Sequence, residues 1–165
     1  MCAERCQVEE TAGLADPISI RPYKEYQARY QSWEPVGELK IESKADIARI
    51  RRELDTCFAA HLSCWSKVRL PVLLAVSEAV TNVVKYTPGG RLLVYADTAG
   101  LSFHVIDYGT GLDLDVLPSL LFGKGFSTSS SLGMGFPIMD KYADAVTAYT
   151  SGRGTILVLQ FDIDC

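Results

Sequence analysis

Residues 70–86 read LPVLLAVSEAVTNVVKY. The run is apolar enough for a core helix, yet it carries Glu78, Asn82 and Lys85. Burying a carboxylate and an amide among aliphatic side chains without partners costs several kcal/mol. Helical geometry removes the conflict. At about 100° per residue, Leu73, Val76, Val80, Val83 and Val84 gather on one side, and Glu78, Asn82 and Lys85 on the other. The stretch therefore predicts a two-faced helix from Pro71, a residue suited to a first turn, to Tyr86, stopped by the TPGG that follows. Its polar side reads either as a solvated face or as one turned toward a ligand.

Working outward from this helix gives the fold class. VGELKIES (36–43) alternates as a strand does, and Ser43 with Asp46 makes a capping-box start. Ile47, Ile50, Leu54, Phe58 and Leu62 then recur at helical spacing, predicting a helix over about 44–62. Residues 91–109 read as two strands around a turn at Thr98–Gly100, and 145–163 as a hairpin turning at Ser151–Gly154. Between them, 110–131 is rich in Gly and Ser, with a short helical stretch at DVLPSLLF, and a third helix is predicted from Met134. The order β-α-α-β-β-loop-α-β-β implies an α+β two-layer sandwich, a mixed and mainly antiparallel sheet covered on one face by helices. Residues 1–35 are expected as an irregular N-terminal extension preceding one domain over 36–165. Tyr23, Tyr26, Tyr30 and Trp33 allow a short helix near 23–32 that docks on that domain.

Composition narrows the function. The chain has 165 residues, 48% hydrophobic and 22% charged, which suits one domain with a single core. A net charge of −4 and the lack of any Lys/Arg run speak against a nucleic-acid partner. No apolar run is long enough for a membrane helix. The polar, acidic start MCAERCQVEETAG lacks the apolar core of a signal peptide, so a cytoplasmic location is expected. Five scattered cysteines (Cys2, Cys6, Cys57, Cys64 and Cys165) then read as reduced thiols.

Two further segments bear on the polar face of the central helix. VIDYGTGLD ends an apolar strand on Asp107, followed by Gly109 and Gly111. A strand-end aspartate sheltered from water needs donors, and an exocyclic amino group such as adenine's is a suitable one. The glycines allow tight backbone geometry and close approach of a ligand. A simple turn beginning at Asp107 is the alternative. SSSLGMGFPIMD carries Gly133 and Gly135 into the third helix, whose free N–H groups would favour an anion; a glycine hinge is the alternative there. Neither GKGFST nor the GTG and GKG pairs has the spacing of a P-loop or a dinucleotide-binding fingerprint.

The ordered set, E-x-x-x-N on a helix, D-x-G-x-G, a variable loop, then G-x-G into a helix, resembles the Bergerat-type ATP-binding fold of gyrase, the Hsp90 chaperone, histidine kinases and the MutL repair protein. It covers roughly residues 38–162. SEAVTN with LGMGFPIMDKYADAV is most similar to the anti-sigma-factor serine kinases, whereas NVVKYTPGG looks like the helix end of histidine kinases. The resemblance implies that Asn82 coordinates Mg²⁺ and that Glu78 orients or deprotonates the attacking hydroxyl. It implies that Lys85 offsets phosphate charge and that Asp107 accepts from the adenine amino group, with Thr155 completing that pocket. Gly109 and Gly111 shape the adenine side, Gly133, Met134 and Gly135 meet the phosphates, and residues 113–132 form a lid over ATP. Relatives of this kind carry an arginine in the lid; here STSSSLG has no basic residue, and Lys124 is the only lid cation.

The implied activity is transfer of the γ-phosphate of Mg-ATP to a Ser or Thr of a STAS-domain antagonist, with a sigma factor as a further partner and a homodimer as the form relatives often take. Two alternatives stay open: a nucleotide-gated binding module without catalysis, and the ATP-binding part of a histidine-kinase-like protein. The second of these needs a phosphoacceptor, and only His61 and His104 exist. His61 in AAHLSCW lacks the acidic residue that usually follows an acceptor, and both histidines read as packing residues.

Overall fold

The structure, a computed structural model, describes residues 18–112 and 132–164. In chain order these form β1 (Ser19–Pro22), α1 (Tyr23–Tyr30), β2 (Gly37–Ile41), α2 (Lys44–His61) and α3 (Trp65–Tyr86). They continue with β3 (Gly90–Ala96), β4 (Gly100–Asp107), α4 (Leu132–Tyr142), β5 (Ala145–Ser151) and β6 (Gly154–Asp162). The expected helical stretch at DVLPSLLF lies outside the described residues. The strands make one sheet in the order β1-β5-β6-β4-β3-β2. All neighbours are antiparallel except β1 and β5, which run parallel from Ser19↔Thr147 to Pro22↔Thr150. The fold is α+β with a mixed, mostly antiparallel sheet, as the element order predicts.

The central strands explain where the core sits. Residues 101–106 of β4 are buried without a break, and so are 154–159 of β6, because both faces of the sheet are covered. On one face Leu92, Val94, Phe103, Val105, Leu157 and Leu159 meet the helices. From α3 come Val72, Val76 and Val80, each 0–1% exposed, and from α4 come Phe136 and Met139. The edge strand β2 keeps Glu38 and Lys40 outward, and Glu38 pairs with Arg91 at 3.2 Å, a charged edge that discourages further strand pairing.

Four expectations change. The short helix expected near 23–32 is observed as α1, but residues 19–22 before it are not irregular: they supply an edge strand of the sheet, a pairing that four residues of β1 are too short to announce by periodicity. Helices do not all lie on one face either. α2, α3 and α4 cover the first face, while α1 packs Tyr26 and Tyr30 on the second, against Leu93, Tyr95, Ile106, Tyr149 and Val158. In addition, α3 begins at Trp65 rather than Pro71, so Pro71 lies inside the helix. The missing proline donor is offset by anchoring of the turn before it. Trp65 is 3% exposed, stacks near Phe58 with ring centroids 5.0 Å apart, and donates from Nε1 to Asp55 at 2.9 Å. Arg69 forks onto the same carboxylate through two 2.6 Å contacts, holding the Asp55 carboxyl down at about 2. The expected start of α2 is observed: the Asp46 carboxylate accepts the N–H groups of Glu42 and Ser43 at 2.9 and 2.8 Å. Cys57 is a free thiol, whereas Cys64 is disulfide-bonded, contrary to the expectation of reduced thiols throughout.

The second face centres on His104, which is fully buried. Its Nδ1 lies 2.8 Å from the Tyr26 hydroxyl and its Nε2 2.9 Å from the Ser102 hydroxyl. The rings of Tyr30, Trp33 and Tyr95 surround it at 4.4–6.2 Å. This cluster joins α1 to the sheet. Burial lowers the histidine's pKa from 6.5 to about 3. Between those values the unfolded chain binds a proton that the folded chain refuses, so stability falls as pH drops through that window. The cost is at most about 1.4 kcal/mol per pH unit. His104→Gln removes the titrating group, so the stability gap between wild type and variant is expected to narrow steadily from pH 7 to pH 4. Urea unfolding at a series of pH values measures it; a constant gap would show that His104 does not titrate on unfolding.

Candidate nucleotide site

The organisation of the site begins with α3. Its sheet-facing stripe is locked by Val72, Val76 and Val80, which directs Glu78 and Asn82 sideways toward α4. Both are half-buried, and Lys85 on the last turn is exposed. Gly135, buried in α4, closes on them: a Cβ there would stand 3.2 Å from Asn82 Nδ2 and 3.4 Å from Glu78 Oε2. Glycine at this point therefore lets one helix cross the polar face of the other. Gly133 and Met134 belong to the first turn of α4. Lys124 lies outside the described residues, as does the stretch expected as a lid, apart from the first helical residue of α4.

Below this crossing is a pocket of ≈ 140 Å³. Five of the residues singled out in the sequence line it: Asn82, Asp107, Gly109, Gly111 and Thr155. Glu78 and Lys85 are not in its wall. A larger hollow of ≈ 360 Å³ opens at the other end of β4, beside Trp33, Tyr95 and Asp97, but contains none of these residues. The chemistry decides for the smaller one, because it combines apolar walls with the convergent polar groups singled out in the sequence. The walls are Val83, Val105, Phe136 and Leu157. Sequence reasoning missed them as site residues, since their periodicity marks them as core. The pocket is cut into the core itself. Thr87, also in the wall, bonds its hydroxyl to the Val83 carbonyl at 2.8 Å and so ties off the end of α3.

At the polar end, Asp107 Oδ1 accepts the Gly109 N–H at 2.8 Å, and the Thr155 backbone N–H also donates to this carboxylate. Burial raises the Asp107 pKa above the usual carboxylate value, and those two donors oppose the rise. A carboxylate offers about four acceptor positions, so capacity remains for a donor entering the pocket. The backbone here is packed to glycine tolerance. Gly111 has φ +83°, and a Cβ on it would sit 2.0 Å from the Ser151 carbonyl oxygen. Gly154 has φ +136°, and its Cβ would sit 2.3 Å from the Asp107 carbonyl oxygen. The tip of the β5–β6 hairpin thus lies directly on the end of β4 and on the segment that follows it.

That crowding makes a prediction about stability. Gly154→Ala is expected to destabilise the fold by about 1–3 kcal/mol, through strain and displaced backbone. Gly152→Ala in the same turn, with nothing within 4 Å of a Cβ, should stay within about 0.5 kcal/mol of wild type. Urea unfolding of the pair checks this; equal effects would mean that the hairpin tip does not rest on β4.

The family described as histidine kinase-, DNA gyrase B-, and HSP90-like ATPase matches residues 68–164. The Anti-sigma F factor of Thermoanaerobacter sp. (strain X514) is 30% identical over 127 residues, covering 73% of this chain and 88% of the relative. The Anti-sigma F factor of Caldanaerobacter subterraneus subsp. tengcongensis is 29% identical over 127 residues, with the same coverage. That of Clostridium acetobutylicum is 28% identical over 130 residues, 74% of this chain and 90% of the relative.

Proposed function

Because this chain belongs to the histidine kinase-, DNA gyrase B-, and HSP90-like ATPases, with proteins named Anti-sigma F factor among its relatives, we propose that it is an ATP-dependent protein kinase of the anti-sigma switch type. Its substrate in this reading is a serine or threonine hydroxyl of a STAS-domain antagonist, and a sigma factor is its second partner. The observation that carries the reading is the crossing of α4 over Glu78 and Asn82 beside a pocket ending in Asp107 and Thr155.

Adenine fits the apolar walls, with its amino group donating to the Asp107 carboxylate and the Thr155 hydroxyl beside it. The triphosphate then leads toward the Glu78–Asn82 face. Among the described residues no group of three or more His, Cys, Asp or Glu side chains could hold a metal ion. A magnesium ion would therefore depend on the Asn82 side-chain oxygen together with the phosphates, in keeping with its small need for protein ligands. When bound it would neutralise phosphate charge. Glu78 lies one turn earlier on the same side of α3, placed to accept the proton of the attacking hydroxyl. The hydroxyl oxygen bonds to the γ-phosphorus, the bond to the ADP oxygen breaks, and the proton passes to the carboxylate. Lys85 offsets phosphate charge at the exposed edge, and Lys124 is the lid cation.

Of the two histidines, burial closes only His104 to phosphoacceptor chemistry. His104 is sealed inside the aromatic cluster. His61, expected as a packing residue, is instead exposed at the end of α2, with its Nδ1 2.7 Å from the Cys57 carbonyl. No helix among the described residues is long and apolar enough to cross a membrane.

Two substitutions test the assignment. Incubated with γ-labelled ATP and STAS-domain proteins, the wild-type chain should label a Ser or Thr, and Glu78→Gln should bind Mg-ATP normally but give no labelled product. Undiminished labelling by that variant would remove Glu78 as the base, and absence of labelling by the wild type on every STAS protein tried would favour a nucleotide-gated binder. Asp107→Asn should weaken ATP and ADP alike by about 1–3 kcal/mol, the cost of disturbing a buried hydrogen bond, as read by calorimetric titration. Unchanged affinity would place adenine elsewhere.

A further inference from the structure

Thr150 belongs to none of the motifs and does not line the pocket, yet three close approaches converge on its hydroxyl. The Leu112 N–H donates to Thr150 Oγ1 at 2.8 Å. The Thr155 hydroxyl stands 3.3 Å from the same oxygen. Gly111 passes so near that a Cβ on it would be 2.9 Å from Thr150 Oγ1. One hydroxyl therefore ties the segment after Asp107 to the neighbouring hairpin, and at the same time contacts the side chain that faces the pocket.

The register explains why this hydroxyl is well placed to hold others. Thr150 pairs with Thr155 across the β5–β6 ladder and with Pro22 of β1 on its other side. Its backbone is thus fixed between two strands, and the hydroxyl starts from a rigid point. Of the two groups it touches, Leu112 lies beyond the end of β4, and the Thr155 hydroxyl, although carried by a paired residue of β6, can still turn its hydrogen about the Cβ–Oγ1 bond. With Oγ1 accepting from Leu112, the hydrogen bond between the two threonine hydroxyls can run either way, each oxygen keeping its own proton. Its direction decides whether Thr155 offers the pocket a donor or an acceptor.

We infer that Thr150 is a positioning residue for the nucleotide: its hydroxyl holds the Gly111–Leu112 segment against the hairpin and sets the orientation of the Thr155 hydroxyl in the pocket. The inference rests on the adenine-nucleotide reading of that pocket and adds a residue that the ligand itself does not touch. A hydrogen bond serving only the hairpin is the competing explanation. The two separate on valine and serine. Thr150→Val keeps the shape and strand preference of the side chain and removes the hydroxyl. Thr150→Ser keeps the hydroxyl and loses the methyl group.

The experiment titrates the full chain with ADP and with Mg-ATP, and measures amide hydrogen exchange at Leu112 in the ligand-free protein. Thr150→Val should weaken both nucleotides about tenfold, the scale of one lost hydrogen bond in a partly buried site, and should speed exchange at Leu112. Thr150→Ser should bind within about threefold of wild type and leave that exchange unchanged. Combined with Thr155→Val, the valine variant should lose less than the product of the two single effects, because both act through one contact. Binding by Thr150→Val within about threefold of a wild type that does bind would overturn the inference and leave the pocket assignment standing. So would unchanged Leu112 exchange, or an equal loss in the serine variant, which would point to the methyl group. A wild-type chain that binds no adenine nucleotide would overturn the pocket assignment and this inference together.

Discussion

The burial of one stripe of α3 against the sheet governs the rest of the molecule. Val72, Val76 and Val80 give up almost all their exposure to the strands, at a gain on the order of 1.5–3 kcal/mol for each side chain. Rotating the helix to relieve any strain at Glu78 or Asn82 would pull those valines out of the core. The polar pair is therefore held in direction by apolar packing on the far side of the same helix. It follows that the orientation of Glu78 and Asn82 is as rigid as the core, although neither residue contributes to it.

A second constraint acts through the backbone. Gly111 and Gly154 stand where a side chain would collide with a neighbouring carbonyl, and Gly135 where one would press closely on the Asn82 amide. Their effect is to bring three separately coded pieces, the end of β4, the hairpin tip and α4, into one small volume around Asp107 and Asn82. The glycines of the motifs are thus as much about protein meeting protein as about room for a ligand. Asp107 shows the same duality. Its carboxylate caps the loop through Gly109 and Thr155 while keeping acceptor capacity toward the pocket.

The back of the sheet answers a different need. A sheet with helices on one side only leaves its other side wet, yet β4 and β6 here are buried on both. The Tyr26–His104–Ser102 bonds and the surrounding rings supply that cover from a helix of only eight residues. So short a helix is marginal by itself, and its place depends on the aromatic contacts and on β1 pairing with β5.

The amino-acid sequence by itself determined the type and order of nearly every regular element over residues 36–162, because each amphipathic period is a local property that survives without knowledge of neighbours. Of the residues singled out for the candidate site, Asn82, Asp107, Gly109, Gly111 and Thr155 are recognisable by residue type, and all five line one pocket. Other features were settled only by the tertiary structure. The start of α3 at Trp65 overrides the proline signal, because burial of an indole and a forked Arg69–Asp55 pair lie across two helices. The parallel edge strand β1 has too few residues to show a period. Val83, Val105, Phe136 and Leu157 look like core in any window, and only the packed fold shows that their core opens into a pocket. Thr150 carries no motif at all, and its hydroxyl gains its contacts from a register between strands and a loop far apart in the chain. Periodicity records which face is apolar; what that face meets is decided when distant segments compete for the same volume.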